Sequence, residues 1–426
     1  MKILVIGNVA KEHSLVKWIA ASSEDKTIYA YPGNPGIREY AIIKEKETSD
    51  DVANIINIVK TENIDLVIPL TGAIIGKGAT DELKKLGATV LGPAKQNFVF
   101  ENLQTLRERA KRYGIKTLDK AHIVNNLDEL KEVLSQFKGH PVALKRVDGE
   151  VRERFDTSNY FFAEEWAKKE LETSPLLVEE FIEGLSATAT ILTDGKHYRL
   201  FPLACDYYKS KDDDDGAFSS GMGAVAPLAI SRETRDRIGN EIVYKMLHGL
   251  ENDGIDYKGF MTFHLLINSL GDVYLLQMKT RISDPSITAM LPLVKDDAIK
   301  EFRDTINGVL KKEEFETEKG LYALSVVIAS KGYPEHPLTG EKVEINDVLP
   351  FMITGKDTDD VNLYFGAVKE SGEDLITSGG RPFTLVVTAS SIERANKKAY
   401  SLLYELTDIF KGAWWRKDIG TNFFLY

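Results

Sequence analysis

The stretch Ile3-Leu4-Val5-Ile6-Gly7 opens the chain with a short apolar run that ends at a glycine. Three more apolar runs follow in the first hundred residues, at 27–30, 66–70 and 89–91. Amphipathic stretches such as 49–60 separate them, with apolar residues at the spacing of one helix face. Short apolar strands that alternate with amphipathic helices are typical of a parallel sheet with helices on both faces. We therefore predict an α/β domain at the N-terminus.

The middle of the chain, from about residue 115 to 305, is richer in β-branched and aromatic runs. Turn signals at Asp194-Gly195 and at 270–272 each separate two such runs, which predicts two hairpins. Helices are predicted at 126–137, opened by Asn126 or Asp128 as the cap, and at 231–250. Further strands and a closing helix, at about 392–410, follow residue 305.

The composition excludes several classes of protein. The 426 residues carry 54 Lys+Arg against 65 Asp+Glu, and the net charge of −11 is not typical of a nucleic-acid-binding protein. A single cysteine, Cys205, excludes an internal disulfide and a multi-cysteine zinc site. No apolar run approaches the roughly 18–20 residues of a membrane span, and the first apolar run is too short for a secretory signal. We expect a soluble, cytoplasmic protein without a nucleic-acid or membrane partner.

Two turns are candidates for ligand contact. The turn at 32–36 contains Gly33, Asn34 and Gly36, which tolerate positive φ and leave backbone N–H groups open to an anion, although a rigid turn is the commoner reason for this pattern. Glu179-Glu180-Phe181 ends an apolar strand before a glycine turn. It fits a hinge that presents backbone groups to an adenine, or a solvated connection, which is the commoner case.

The best local candidates for chemistry are Gly221-Met222-Gly223 and the loop from Arg281 to Asp284. Arg281 could hold a phosphate or carboxylate with two hydrogen bonds. A buried pair between Arg281 and Asp284 explains the spacing equally well. The acidic run at 212–215 could bind a metal, but four consecutive acids are usually a solvated loop.

Taken in order, these motifs resemble the phosphoribosylamine–glycine ligase family, ATP-grasp enzymes of purine biosynthesis. The residues that carry the resemblance are Gly7 with Lys11-Glu12-His13, the turn at 32–36, Gly92-Pro93, Tyr113-Gly114-Ile115, Glu179-Glu180-Phe181, Gly221-Met222-Gly223-Ala224, Arg281 with Asp284-Pro285, Lys331-Gly332-Tyr333-Pro334, Gly379-Gly380-Arg381 and Arg416-Lys417-Asp418-Ile419-Gly420. The family joins 5-phosphoribosylamine to glycine and cleaves ATP to ADP and phosphate through a glycyl phosphate.

The resemblance implies a multidomain fold of α/β and α+β type. An N-terminal parallel α/β domain is expected at 1–98, a two-part ATP-grasp domain at 99–305 with its small subdomain at about 118–188, and a mixed α/β C-terminal domain at 306–426. The substrate-binding positions it implies are Gly33, Asn34, Gly36, Gly221, Gly223, Arg281 and Asp284. The nucleotide-binding positions are Lys145, Glu179, Glu180 and Phe181.

This chain departs from the family pattern mainly around the nucleotide. The family's glycine-rich loop over the ATP phosphates is replaced by the bulky and charged residues 150–155, and an earlier family lysine aligns with Gln104. The family binds magnesium with a Glu and an Asn two residues apart, and here these positions are Gln277 and Lys279. An ammonium group repels a divalent cation, so we expect neither metal binding nor the family's use of ATP with magnesium. On the substrate side, Leu70-Thr71-Gly72, Phe218 and Ser286 also depart from the pattern.

Three functions fit this combination. We favour a divergent paralogue with weak or no ATP-dependent ligase activity. One alternative is a fully active ligase with an unusual site. The other is a ligand-binding or regulatory protein that does not use ATP. Lys279 is expected to take the volume of the lost metal and, beside Lys145 and Arg281, to hold a small phosphorylated or carboxylate ligand. The alternative for Lys279 is an ion pair with an acid such as Glu180.

Overall fold

A computed structural model of the protein describes residues 1–137, 140–156, 160–311, 313–344 and 360–421. Its N-terminal region is a parallel sheet in the order β3-β2-β1-β4-β5, which confirms the predicted α/β domain. The strands are β1 (Lys2–Gly7), β2 (Thr27–Pro32), β3 (Ile42–Ile43), β4 (Leu66–Pro69) and β5 (Thr89–Val90). The helices are α1 (Ala10–Ala20), α2 (Asp51–Glu62), α3 (Gly72–Gly76) and α4 (Ala79–Lys85), with a 3-10 helix at Pro35–Glu39.

Both faces of this sheet are covered. Ile3 and Val5 of β1 pack into one apolar cluster, and Leu4 and Ile6 pack into another. Because successive side chains of a strand point to opposite faces, an uninterrupted apolar strand requires apolar partners on both sides. Its carboxyl end places Gly7 and the start of α1 at the edge that faces the rest of the protein.

The next region contains an antiparallel sheet in the order β6-β9-β7-β8. Its strands are β6 (Ala121–Val124), β7 (Val142–Arg146), β8 (Arg152–Phe155) and β9 (Leu176–Glu180), and its helices are α5 (Leu103–Tyr113), α6 (Leu127–Gln136) and α7 (Tyr160–Leu171). Asn126 caps α6, as predicted, by accepting from the backbone N–H of Glu129 at 2.9 Å. A 3-10 helix at Lys95–Glu101 precedes α5, and Asn102 caps α5.

A second large sheet forms the floor of the central cleft, in the order β15-β14-β10-β11-β16. The strands introduced here are β10 (Leu185–Thr193), β11 (Tyr198–Leu200), β12 (Cys205–Lys209), β13 (Phe218–Ala226), β14 (Gly259–Ile267), β15 (Val273–Lys279) and β16 (Glu313–Glu314). The helices are α8 (Arg232–Arg237), α9 (Lys245–Asn252), α10 (Ser286–Met290) and α11 (Ala298–Asn307), with a π-helical stretch at Ile238–Tyr244 and 3-10 turns at Asp212–Asp214 and Leu291–Leu293. Both predicted hairpins are present, as β10–β11 and β14–β15.

The C-terminal region completes a third five-stranded sheet, in the order β12-β13-β17-β22-β19. Its strands are β17 (Tyr322–Ile328), β18 (Lys342–Val343), β19 (Asp360–Phe365), β20 (Val368–Ser371), β21 (Asp374–Thr377) and β22 (Phe383–Ala389), and helix α12 (Ile392–Glu405) packs on it. Strands β18, β21 and β20 form a small separate sheet. The third sheet thus combines strands from both sides of our division near residue 305. No helix within the described ranges has the length and apolarity of a membrane span.

The N-terminal and C-terminal regions meet directly. The ring Nδ1 of His13 accepts from the backbone N–H of Phe365 at 2.9 Å. The side-chain amide of Asn34 donates to the carbonyls of Phe365 and Asn8, at 2.8 and 3.0 Å. A Cβ atom on Gly36 would lie 2.5 Å from the His13 ring, so this close approach requires glycine. The turn at 32–36 is therefore a docking point between the two regions.

Replacing Asn34 with alanine tests this docking role. Asn34 is buried, and its removal leaves two carbonyls and the N–H of Ile37 without their side-chain partner. We expect the free energy of unfolding, measured with urea, to fall by about 2 kcal/mol. Asn57 is exposed, and Asn57→Ala should change it by less than about 0.5 kcal/mol. Equal effects of the two changes would contradict the docking role.

Candidate functional site

The cleft is organised around one buried acid, Glu101, at the end of the 3-10 helix that precedes α5. Its Oε1 accepts from the backbone N–H and the hydroxyl of Thr280, at 2.8 and 2.7 Å. Its Oε2 pairs with Arg281 and lies 3.6 Å from Nζ of Lys279. We call Glu101, Lys279, Thr280 and Arg281 the Glu101 cluster. Both carboxylate oxygens are used within the protein.

Glu101 is 5% exposed and carries its charge. Burial alone would raise the pKa of its carboxyl, but the charges of Arg281 and Lys279 outweigh burial and hold the pKa below its ordinary value. Lys279 also lies 3.9 Å from Glu150, an exposed acid of the β7–β8 turn. The alternative for Lys279, an ion pair with an acid, is present, but the acid is Glu101 and not Glu180, which accepts from the backbone N–H of Lys120 at 3.2 Å.

Gln277, the other residue at the family's magnesium positions, faces the β7–β8 turn. Its Nε2 donates to the carbonyl of Gly149 at 3.2 Å. Gly149 has φ +74°, and a Cβ there would lie 2.2 Å from that nitrogen. Glycine is required here for its conformation and for the close contact. In the family, the corresponding loop covers the ATP phosphates. Here the β7–β8 turn packs against Gln277 through Gly149.

These residues do not fit a magnesium ion. Mg²⁺ requires near-octahedral oxygen ligands, and the groups here are an ammonium, an amide whose nitrogen faces Gly149 and a carboxylate engaged by three neighbours. Within the ranges that the structure describes, no group of three or more His, Cys, Asp or Glu side chains could hold a metal ion. The acidic run at 212–215 has another role, since Asp214 pairs with the buried Arg416 at 2.7 Å and Asp212 accepts from the backbone N–H of Lys417.

The nucleotide-binding residues predicted from the family resemblance lie together. Glu179 is fully buried and pairs with both Lys145 and Arg107. Burial lowers the pKa of Lys145, and the Glu179 carboxylate offsets part of this effect. The ring of Phe181 lies 4.1 Å below the guanidinium of Arg154. The charge of Lys145 is therefore already balanced by the carboxylate of Glu179 within the protein.

Strand β8 closes over the cleft through its side chains. The guanidinium of Arg152 lies 4.2 Å from the ring centroid of Tyr208 and 4.7 Å from that of Phe218. Glu153 pairs with Lys209 at 2.9 Å. These contacts join the β7–β8 hairpin to β12 and β13.

The space left beneath the hairpin is small. A cavity with about 10 Å³ of free volume, room for about one water molecule, remains beside Lys145 and the β7–β8 turn. Its lining residues are Leu103, Lys145, Gly149, Val151, Arg152, Leu276 and Gln277.

The predicted substrate-side residues separate into two groups. Gly221 and Gly223 allow close packing, since Cβ atoms there would lie 2.4 Å from Pro285 and 2.5 Å from the carbonyl of Ser325. The expected pair between Arg281 and Asp284 is wrong. Arg281 pairs with Glu101, and Asp284 pairs with Arg381 at 3.1 Å. Gly33, Asn34 and Gly36 lie at the docking point of the N-terminal and C-terminal regions.

A buried polar pocket next to Asp284 was not predicted. Asp206 accepts from Thr188 at 2.5 Å, and burial raises the pKa of its carboxyl to about 6. Burial lowers the pKa of His264 to about 3, so its ring is neutral while Nδ1 contacts the Tyr208 hydroxyl at 2.8 Å. One oxygen of Asp206 and one of Asp284 have no hydrogen-bond partner among the described residues.

Replacing Glu101 with glutamine tests the ion pairs of the Glu101 cluster. The change keeps the side-chain shape, leaves Arg281 without its acid and leaves Lys279 with only the exposed Glu150, so we expect a loss of about 3 kcal/mol in the free energy of unfolding at neutral pH. Because the folded-state pKa of Glu101 is below its ordinary 4.5, this stabilisation is present above that value and is lost as the pH falls through the lowered one. The difference between variant and parent should therefore shrink in acid.

The matched control is Glu150→Gln, which removes an exposed acid from the same lysine. We expect it to cost less than about 0.5 kcal/mol. If Glu150→Gln destabilises the protein as much as Glu101→Gln does, the stabilising role of the Glu101 ion pairs is contradicted. The same holds if the loss caused by Glu101→Gln has the same size at all pH values.

Three family models match the chain in order. They are the phosphoribosylglycinamide synthetase N domain at residues 1–101, its ATP-grasp (A) domain at 104–287 and its C domain at 323–422. Similar proteins include the phosphoribosylamine–glycine ligases of Chlorobaculum tepidum and Clostridium acetobutylicum, at 27% and 29% identity. Each alignment covers 99% of this chain and 100% of the relative.

The fold is also shared with a solved structure. The crystal structure of phosphoribosylamine–glycine ligase from Thermotoga maritima superposes with a TM-score of 0.79 at 23% identity, over 98% of this chain and 100% of that chain. The multidomain ATP-grasp architecture expected from the motifs is thus confirmed. The chain belongs to the phosphoribosylglycinamide synthetase family.

Proposed function

We propose that this chain is a divergent member of the family that has weak or no ATP-dependent ligase activity and acts as a binding protein for a small ligand. The observation that carries the proposal is the ion pair between Lys279 and Glu101. It puts a positive charge where the family's magnesium ligands would lie. Phosphoryl transfer depends on a divalent cation to neutralise the developing charge, so its loss removes the largest electrostatic contribution to the reaction.

The closed nucleotide cleft is a second, independent support. Lys145 is paired with Glu179, and the β7–β8 hairpin contacts β12 and β13 through Arg152 and Glu153. Binding ATP would require these contacts to open and the charges to be separated. The free energy for that opening would come out of the binding energy, which weakens nucleotide affinity.

A ligand-binding role is supported by the pocket at Asp206 and Asp284. Buried carboxylate oxygens without partners are costly unless a ligand or water satisfies them. Arg381 lies 3.1 Å from Asp284, so one positive and one negative side chain lie at this position. A small zwitterionic, phosphorylated or carboxylate compound has the matching chemistry. We propose that the protein acts in the cytoplasm, without a nucleic-acid partner.

An active ligase is the alternative, and a specific observation favours it. The three domain models cover nearly the whole chain, and the polar pocket beside Asp284 has the charge to receive an amine. In that case the hairpin opens on binding, and a metal is held by groups other than Gln277 and Lys279.

The release of ADP with phosphoribosylamine, glycine and Mg·ATP separates the two functions. We expect no release above the rate without glycine. The enzyme of Thermotoga maritima, assayed in parallel, controls for the unstable amine. Turnover at an ordinary enzyme rate of about 1–10 per second would refute our proposal.

The double change Gln277→Glu with Lys279→Asn tests whether these two residues are the reason for the proposed loss of metal binding. It supplies two oxygen ligands, and we expect binding of Mn²⁺, a probe for magnesium, to tighten by about tenfold or more in titrations followed by electron paramagnetic resonance. The matched control is Gln136→Glu with Lys131→Asn on the exposed face of α6, which makes the same change in charge. Equal Mn²⁺ binding by both double variants would show that only net charge matters and would contradict the proposed cause.

A further inference from the structure

Four buried or half-buried side chains beside the pocket at Asp284 are joined by consecutive hydrogen bonds. The Tyr208 hydroxyl lies 3.3 Å from Oδ2 of Asp206 and 2.8 Å from Nδ1 of His264. The other ring nitrogen of His264, Nε2, lies 3.2 Å from the hydroxyl of Ser283. We call Asp206, Tyr208, His264 and Ser283 the Asp206 network. It connects strands β12 and β14 to the loop that carries Asp284.

Asp206 is the acid of this network, and no cation among the described residues forms an ion pair with it. It is 5% exposed, its Oδ2 accepts from the Thr188 hydroxyl at 2.5 Å, and its Oδ1 has no hydrogen-bond partner among those residues. The buried acids Glu101 and Glu179, in contrast, are each paired with two cations. Burial and the nearby Asp284 therefore favour the protonated carboxyl of Asp206 and raise its pKa to about 6.

The cations around the network are engaged elsewhere. The charged and titratable groups that act on Asp206 or His264 are Arg152, Cys205, Lys279, Arg281, Asp284 and Arg381. Lys279 and Arg281 are paired with Glu101. Arg381 is paired with Asp284, and Arg152 contacts the ring of Tyr208. The charge of an ionised Asp206 is thus left without a direct partner.

The hydrogens of this network can be counted. Burial, together with nearby cations, lowers the pKa of His264 to about 3, so its ring is neutral and has one N–H donor and one acceptor nitrogen. Burial raises the pKa of Tyr208, so its hydroxyl keeps its one hydrogen. That hydrogen can point to Asp206 or to His264, but not to both. The direction of the hydrogen bonds therefore depends on whether Asp206 carries a proton.

We propose that the Asp206 network is a proton relay whose hydrogen bonds reverse direction when Asp206 gains or loses a proton. While Asp206 is protonated, its O–H donates to Tyr208, and Tyr208 donates to Nδ1 of His264. The N–H at Nε2 then donates to Ser283. When Asp206 is ionised, Tyr208 donates to Asp206, the N–H at Nδ1 donates to Tyr208, and Ser283 donates to Nε2. The relay goes beyond the proposed function, since it would operate equally in an active ligase.

The reversal requires the exchange of one proton with water and no other reactant. On ionisation, the Asp206 proton passes to the Tyr208 oxygen, and the Tyr208 hydrogen passes to Nδ1 of His264. Nε2 gives its hydrogen to Ser283, and the half-buried Ser283 releases one proton to water. Below about pH 6 the Ser283 hydrogen is free for a ligand in the proposed pocket, and above it His264 accepts that hydrogen.

Nitrogen-15 NMR of the full chain, labelled at histidine, tests the relay, because the chemical shifts of the two ring nitrogens show which one carries the proton. We expect His264 to be protonated at Nε2 at about pH 5 and at Nδ1 at about pH 7.5, with a midpoint near 6. His264→Gln identifies the signals by their loss. Asp206→Asn, which stays uncharged, should keep Nε2 protonated at both pH values. The measurement is independent of ADP release, so the relay and the proposed function fail separately.

Tyr208→Phe removes the link between Asp206 and His264 and keeps the ring, so the tautomer of His264 should no longer change with pH. The matched control is Tyr244→Phe, because Tyr244 is exposed and stacks on a different histidine, His248. It should leave the change at His264 intact. A single tautomer at both pH values in the parent would overturn the inference. A doubly protonated ring at about pH 5, or a change of tautomer that persists in Tyr208→Phe, would do the same.

The unfolding equilibrium gives a second test. Because the folded-state pKa of Asp206, about 6, is above its ordinary 3.8, ionisation of Asp206 destabilises the fold as the pH rises from about 4 to 6, and the effect is constant above that range. Relative to Asp206→Asn, the unfolding equilibrium constant of the parent should rise by about a hundredfold over this range. Asp236→Asn, a change at an exposed acid, should rise with the parent. A ratio of parent to Asp206→Asn that does not change with pH would overturn the inference.

Discussion

The carboxylate of Glu101 accepts from Thr280 and pairs with Lys279 and Arg281, and the arrangement of the cleft depends on these contacts. They fix a positive charge at the end of β15. A divalent ion about 4 Å from an ammonium group would meet a repulsion of about 8 kcal/mol at an effective dielectric constant of about 20. Two new oxygen ligands would have to overcome that repulsion, and the buried carboxylate of Glu101 is already used. The electrostatics therefore favour an internal ion pair over a bound metal.

The nucleotide side of the cleft follows the same principle. Where the resemblance predicts cations that meet phosphates, this chain provides acids that meet those cations, as Glu179 does for Lys145. The β7–β8 hairpin packs its own side chains into the space, with Arg152 against the rings of Tyr208 and Phe218.

Much of the fold could be predicted from the sequence, because apolar periodicity and turn residues are local signals. The strand and helix alternation of the first hundred residues, the cap at Asn126 and the two hairpins are examples. The pairing of β13 with β17 could not, since it joins segments about a hundred residues apart with no local signal. The motif order identified the family, and the identities of Gln277 and Lys279 identified the position where we propose that its chemistry changes.

The partners in the site were less predictable than the residues. Glu101 lies in a polar stretch that reads as ordinary helix, and only the packing of the 3-10 helix against β15 brings it to Lys279. The alternative of a pair between Arg281 and Asp284 was wrong, and the alternative of an ion pair for Lys279 named Glu180 where the structure has Glu101, for the same reason. Sequence spacing shows which charges are near along the chain, but opposite charges from distant segments compete for each of them.

The affinity for ATP with and without magnesium tests the central claim most directly. If the ion pair of Lys279 and Glu101 takes the place of the metal, calorimetric titrations with ATP in EDTA and with Mg·ATP should give the same weak affinity or none. A large, saturable increase in affinity on adding magnesium would contradict it, because it would require a metal site in the cleft that the Glu101 cluster is expected to prevent.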